Sequence, residues 1–389
     1  MKDPEKKNPE VQCPEGYNPK DKNNIENILK QKGLIEDLKK LVDQYRNDYL
    51  KSSSIFASEF SFKIGDLQIN GPVIAAPLAG ISDNTCRIFA KAFGSSLSFT
   101  EMISAYGIHY KNRETEVLSY ISGFERPCGI QLFGSEPDIL LEAAQLMEER
   151  ADIIDINMGC PVPKVLKTGS GGILLNDEIK IGKIISRISS KIKKPLTVKT
   201  RLGWDKNSIN IARVASIAQE NGAAAIVIHG RTVKQGFTGE ADYSWISRIK
   251  SSLEIPVIAS GDIDTPLKAC RIIEDTGCDA VMIGRALKGR HWVLSSIAAV
   301  IAGIDTDGIV LDPFLTHDAG PPLEFRKSYA GLYLKFMIVF KGEEKALREF
   351  RKILPWIFKG IHGISRYKND FFTLESAAEA ARIISSIHP

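Results

Sequence analysis

The sequence contains no run of 18 apolar residues, so a membrane-spanning helix is not expected. Its first ten residues are charged and no hydrophobic segment follows them, which argues against a secretory leader. Cysteine is sparse. The six (Cys13, Cys86, Cys128, Cys160, Cys270 and Cys278) are scattered with no C-x-x-C pair, which argues against a disulfide framework or a zinc site and for reduced thiols in a cytoplasm. A dominant charge is also missing, with 51 Lys and Arg against 47 Asp and Glu, a net charge of +4. What is present is ordinary for a folded protein: 43% apolar and 25% charged residues in 389 positions, enough for a large barrel plus a small appendage.

The small positive excess is local. Residues 321–389 carry 12 Lys and Arg against 7 Asp and Glu, so the rest of the chain is near neutral. Charge alone leaves open a polyanion-facing module and a solvated helical surface.

Residues 1–23 read as a polar lead-in. Over 24–50, Ile35, Leu38, Leu41, Val42, Tyr45 and Tyr49 recur at three- and four-residue intervals, which predicts one amphipathic helix. From 71 to 302 the texture changes to short β-branched runs at 73–77, 97–102, 129–133, 153–158, 195–200, 224–229, 256–260 and 279–283, each followed by a stretch of helical length. Eight such units predict an α/β fold, a closed (β/α)8 TIM barrel. The competing doubly wound sheet normally carries a glycine-rich fingerprint after its first strand, and Pro77-Leu78-Ala79-Gly80 is not one. Helical patterns at 325–340, 343–358 and 374–387 predict a small all-helical module starting near Pro313. The expected division is 1–65 as an extension with one helix, 66–312 as the barrel and 313–389 as the helical domain.

In such a barrel the chemistry lies at the carboxyl ends of the strands. In order, those ends carry Pro77 to Gly80, Glu101, Gln131, Asn157 with Cys160, Lys199 with Arg201, His229 with Arg231, Ser260-Gly261-Asp262 and Gly284-Arg285. The last two groups suit a phosphate, because glycine-containing turns that open helices present backbone N–H groups and Arg285 adds a cation. Lys199 fits a Schiff base, a buried ion pair or a counter-charge for an anionic cofactor, and position does not choose among them. Gln131 suits the edge of a heterocycle or a polar cap. Cys160 sits in a tight turn between Gly159 and Pro161, ahead of a loop with Lys164 and Lys167. A cysteine is most often a small buried apolar residue, and that setting adds weight to an acid or nucleophile.

Six ordered blocks carry a resemblance: Ala76-Pro77-Leu78-Ala79-Gly80, Ile156-Asn157-Met158-Gly159-Cys160-Pro161, Val198-Lys199-Thr200-Arg201-Leu202-Gly203, His229-Gly230-Arg231-Thr232, Ser260-Gly261-Asp262-Ile263 and Met282-Ile283-Gly284-Arg285. Together they resemble the tRNA-dihydrouridine synthases, most of all the bacterial B-type branch, over roughly 66–370. The resemblance implies an FMN-dependent enzyme that reduces the C5=C6 bond of a uridine in tRNA, with NADPH as reductant. It implies that Pro77, Leu78 and Ala79 line the flavin, that Gln131 and Lys199 bind its ring, and that His229 lies near it. Ser260, Gly261, Asp262, Gly284 and Arg285 would hold its phosphate. Asn157 would contact the uracil and Cys160 would deliver a proton to C5 after hydride reaches C6. Glu101, Lys164, Arg201 and Arg231 are further candidates for substrate contact. In the helical module, which binds tRNA in this family, the candidates are Arg326, Lys327, Arg351, Lys352, Lys359, Arg366 and Lys368.

The chain departs from the family pattern at Leu78, where methionine is usual, at Ser260, where asparagine is common, and in the loop Pro161-Val162-Pro163-Lys164. The alternatives are a flavin barrel acting on a free pyrimidine, a Schiff-base aldolase using Lys199, and an RNA-binding protein without activity.

Overall fold

The computed structural model describes residues 22–50, 60–302 and 320–388. The lead-in up to residue 21 and the expected module start near Pro313 lie outside them. Two helices, α1 (Lys22–Gln31) and α2 (Leu34–Tyr45), followed by a π turn at Arg46–Leu50, stand where one helix was expected. The break is at Gly33, whose φ of 66° lies in the left-handed region that ends a helix cheaply only at glycine.

The described residues fall into two compact units, Leu38–Pro322 and a second that joins Met1–Asp37 to Leu323–Pro389. The expected extension is therefore not one piece. Within the first unit, Leu38, Leu41, Val42 and Tyr45 are buried, and the Tyr45 hydroxyl bonds to Ser296 Oγ at 2.7 Å. Within the second, α1 packs on α13 (Leu323–Lys341), and α14 (Glu343–Ile357), α15 (Lys368–Thr373) and α16 (Ala377–Ser386) follow.

A hairpin that the strand pattern did not reveal, β1 (Ser61–Ile64) and β2 (Leu67–Asn70), precedes the barrel. The expected boundary at 65/66 falls inside its two-residue turn. Ile64 and Ile69 are fully buried in one cluster with Ile74, Leu97, Phe99, Ile153, Val227, Ile258 and Met282, so the hairpin covers the barrel floor. Burying each isoleucine contributes roughly 1.5–3 kcal/mol.

The barrel strands are β3 (Val73–Ala75), β4 (Ser98–Phe99) with β5 (Ile103–Ser104), β6 (Cys128–Phe133), β7 (Ile153–Met158), β8 (Leu196–Arg201), β9 (Ala225–His229), β10 (Val257–Ser260) and β11 (Ala280–Ile283). All pair in parallel in the order β3-β11-β10-β9-β8-β7-β6-β4, and β5 also pairs with β6. A bridge between Ile74 and Leu97 brings the last strand back to the first, with Ala75 N donating to Leu97 O at 2.9 Å. The eight expected runs each contain a strand, although the second is interrupted at 100–102, where Glu101 sits.

Helices α3 (Asn84–Ala92), α4 (Ala105–His109), α5 (Arg113–Leu118), α6 (Pro137–Met147), α7 (Pro163–Leu166), α8 (Glu178–Ser189), α9 (Ile211–Glu220), α10 (Ser244–Lys250), α11 (Pro266–Thr276) and α12 (Trp292–Ile301) complete this unit. Their starts follow local chemistry. Asp83, Asp177 and Thr265 cap α3, α8 and α11 through their side chains, and proline opens α6 and α11. In α8 the buried residues Ile181, Ile184, Ile185 and Ile188 form the stripe that faces inward.

Candidate active site at the barrel mouth

Strand register decides which side chains meet. Gln131 lies opposite Asp155, Asp155 opposite Thr197, and Asn157 opposite Lys199. Asp155 and Gln131 are 1% exposed and lie one layer below the mouth. Thr197 Oγ1 and Gln131 Nε2 donate to the two oxygens of Asp155 at 2.6 and 2.7 Å. Asn157 Nδ2 donates to Gln131 Oε1 at 2.9 Å, and Asn157 Oδ1 accepts the backbone N–H groups of Gly159 and Cys160 at 3.2 and 3.0 Å. The second amide hydrogen of Asn157 has only the Met102 sulfur, at 3.9 Å.

Burial shifts the titratable groups here. It lifts the Asp155 carboxyl to about 7, against the pull of Thr197, Gln131 and Lys199. Burial also lowers Lys199 to about 8, with Arg201 adding to the drop and Asp155 opposing it. Among the described residues Lys199 makes no hydrogen bond or ion pair, and Asp155 acts on its ammonium only through space. The half-buried Cys160 thiol is pushed up by burial, offset in part by the Val162 backbone, Arg201 and Lys199, so it stays protonated at neutral pH. His229 is held neutral by burial and by the cations Lys199, Arg201, Arg231 and Arg285.

Two arginines expected to contact substrate also brace the loops after β7 and β9. Arg201 donates to Gly159 O at 2.8 Å, to Thr232 O at 2.9 Å and to Gly236 O at 2.8 Å. Arg231 is 1% exposed and donates to Asp262, Thr238 O and Gly239 O. Arg231 has all its donors spent on backbone and carboxylate and shapes the mouth from beneath, whereas Arg201 is braced through Nε and Nη1 and keeps Nη2 unspent among the described residues. Glu101 accepts the Gly80 N–H and so ties the turn that carries Pro77, Leu78 and Ala79. That turn leaves Ala79 exposed and Pro77 and Leu78 partly so, an apolar lip. Lys164 is exposed on α7, past the Cys160 turn.

Of the strand ends expected to take a phosphate, the one after β10 leaves a peptide N–H open. Gly261 has φ 110°, and a Cβ there would stand 2.8 Å from the His229 ring. The Tyr243 hydroxyl donates to Gly261 O. In a trans peptide the following N–H points the opposite way, so Asp262 N–H faces away from Tyr243 and donates to nothing among the described residues. The Asp262 carboxylate, which would repel a phosphate, is turned onto Arg231, Arg285 and Ala241 N. Burial would raise it, but Arg231 holds it below the usual carboxylate range. Arg285 also lies over the exposed ring of Phe237, 4.6 Å from its centre. Ser260 is buried at the end of β10, and Gly284 stands close to Ala76 and Leu78.

Asp155, Thr197, Tyr243 and Phe237 were not picked out from the sequence. For the first two a signal existed, since each lies two residues before a chosen mouth residue on the same strand and therefore on the same face. In the helical unit Arg326 is corrected: it is 1% exposed and donates to Ile357 O and Lys359 O, which leaves it no face for a phosphate. Arg351 is turned onto Leu374 O, and Lys327 onto Glu324 and Ser385 O. Lys352, Lys359, Arg366 and Lys368 are exposed. Among the described residues no helix is long and apolar enough to cross a membrane, and no group of His, Cys, Asp and Glu could hold a metal ion.

Residues 73–387 match the family model described as dihydrouridine synthase. "tRNA-dihydrouridine synthase B" of Xanthomonas campestris is 39% identical over 76% of this chain and 86% of its own length. The protein of the same name in Pseudomonas aeruginosa is 35% identical over 80% and 91%. "Probable tRNA-dihydrouridine synthase 1" of Synechocystis is 33% identical over 87% and 91%. A solved FabK mutant from Thermotoga maritima overlaps with TM-score 0.36 and 15% identity over 57% of this chain and 63% of that one, too loosely to add to the fold. With the barrel, the ordered strand-end residues and a family match running from β3 to α16, the chain belongs to the dihydrouridine synthase family.

Proposed function

We propose that this protein binds FMN across the barrel mouth and reduces the C5=C6 bond of a uridine in tRNA, with NADPH supplying the electrons and Cys160 the proton for C5. The observation that carries the reading is the pairing, at one mouth, of an ammonium with no direct ion pair among the described residues and a thiol held protonated by burial.

The residues fit the flavin. Pro77, Leu78 and Ala79 give a ring an apolar lip, Gln131 offers an amide and Lys199 a charge for the electron-rich edge of a reduced ring. The unspent Asp262 N–H, Gly261, Ser260, Gly284 and Arg285 would hold the phosphate, and the neutral His229 adds no competing charge beside Lys199. When bound, the flavin supplies a hydride to C6. Cys160 holds the proton that C5 then requires, because only a protonated group can act as a general acid. Asn157 keeps one amide hydrogen for a uracil carbonyl, since a thioether is a weak acceptor that such an oxygen displaces.

A uridine in folded tRNA must leave its stack to reach this mouth, at a cost of a few kcal/mol. Lys352, Lys359, Arg366 and Lys368, exposed in the helical unit, would offset it through phosphate contacts. Lys164, beyond the Cys160 turn, would contribute in the same way.

The test is a purified protein that carries FMN and, given NADPH and unmodified tRNA, yields dihydrouridine by mass spectrometry. A colourless protein, or one that leaves tRNA unchanged while reducing free uracil, contradicts it.

A further inference from the structure

Two buried side chains in the barrel interior, Asp155 and Thr197, have no part in the chemistry above, yet they begin a hydrogen-bond chain that ends at Cys160. We infer that Asp155, backed by Thr197, is a positioning residue: it fixes which end of Gln131 and of Asn157 faces upward and so holds the Gly159–Cys160 turn in place. The consequence for catalysis rests on the reading of Cys160 as the acid.

The argument is one of donor and acceptor polarity. An ionised carboxylate only accepts. It therefore takes the Nε2 end of Gln131, leaving Oε1 to accept from Asn157 Nδ2, which in turn leaves Asn157 Oδ1 to accept the two backbone N–H groups of the turn. Reversing either amide would set N–H against N–H at one end and oxygen against oxygen at the other, a costly arrangement at this depth. Both ends of the chain thus demand the same orientation. Thr197 makes it independent of the charge on Asp155. A neutral carboxyl still offers a carbonyl oxygen to Gln131 and gives its O–H to Thr197, whose hydroxyl turns from donor to acceptor. Asparagine at this position reproduces that neutral arrangement, with its amide nitrogen facing Thr197. Leucine cannot.

The test compares Asp155→Asn, Asp155→Leu, Thr197→Val and the double variant Asp155→Asn with Thr197→Val. Three quantities are read in each: hydrogen exchange at the Gly159 and Cys160 amides, tRNA turnover and tRNA affinity. Asp155→Asn and Thr197→Val alone keep exchange and turnover within about threefold of the parent. Asp155→Leu speeds exchange at both amides by about tenfold and lowers turnover by about 100-fold with affinity unchanged. In the double variant, which keeps the volume, the introduced amide has no acceptor at position 197 and gains by turning its nitrogen onto Gln131, which favours the reversed chain. Exchange therefore moves toward the leucine result, and this answers the question even where leucine prevents folding. Parent-like exchange in both the leucine and the double variant, or asparagine as damaging as leucine, overturns the inference. Because amide exchange needs no activity, it separates this inference from the acid reading. Turnover surviving in Cys160→Ala would remove the acid and leave the positioning intact.

Discussion

Cys160 and Lys199 are displaced in opposite directions by the same cause. Burial disfavours the charged form of each, raising the thiol and lowering the ammonium to about 8. Both must be protonated for the proposed chemistry, so turnover falls as pH rises through about 8, with Lys199 the first to fail. A pH–rate profile checks this: Lys199→Met should be low and flat, and a descending limb near 8 that survives in this variant would assign it elsewhere. Asp155 gives a second titration, in stability. Its folded value of about 7 lies above the ordinary 3.8, so its favourable contribution is complete below 3.8 and is lost as pH rises through 7. Melting temperatures of Asp155→Asn relative to the parent should therefore improve from pH 4 to about pH 7 and level off above it, and a pH-independent difference would mean that the carboxylate is not desolvated.

At the scale of elements, hydrophobic runs bounded by turns made the barrel legible. Each of the eight runs contains a strand, and the residues at their ends were readable because parallel strands all deliver side chains to one rim. The hairpin before the barrel escaped because each strand has four residues, too few for alternation to register, although Gly65-Asp66 between Ile64 and Leu67 is a two-residue turn signal. It should matter for stability. Ile64→Ala or Ile69→Ala removes a fully buried side chain from the barrel floor and should cost about 2–5 kcal/mol, measured by denaturant unfolding, with flavin affinity changed little. At the other end of the barrel, Gly261→Ala would strain a backbone at φ 110° and push a methyl group onto His229. It should weaken FMN binding and lower stability by about 1 kcal/mol or more, read by flavin titration and denaturant unfolding. What sequence periodicity could not supply is the direction of side chains at the mouth. Arg201 and Arg231 sit at the expected strand ends, but Arg231 is consumed by loop carbonyls and Asp262 and Arg201 is braced on three carbonyls through Nε and Nη1, a matter of loop geometry that only the folded chain determines.

For the whole molecule, the same limit applies to the basic tail. Its excess charge was visible, but which cations face outward was not: Arg326 is buried and Arg351 is turned inward. Reversing the exposed Lys352, Arg366 and Lys368 to glutamate should weaken tRNA binding and flatten its salt dependence, by a slope of about 0.9 for each lost phosphate contact. Titrations at several salt concentrations decide this, and an unchanged slope would place the RNA elsewhere. The central claim, a thiol that protonates a uracil reduced at this mouth, is tested most directly by a single turnover. The protein with its flavin chemically reduced is mixed with unmodified tRNA, and flavin reoxidation and dihydrouridine are followed together. The account predicts that both appear at equal rates in the parent and that both slow by about 100-fold or more in Cys160→Ala with the flavin still bound. Equal rates in the two proteins would contradict it.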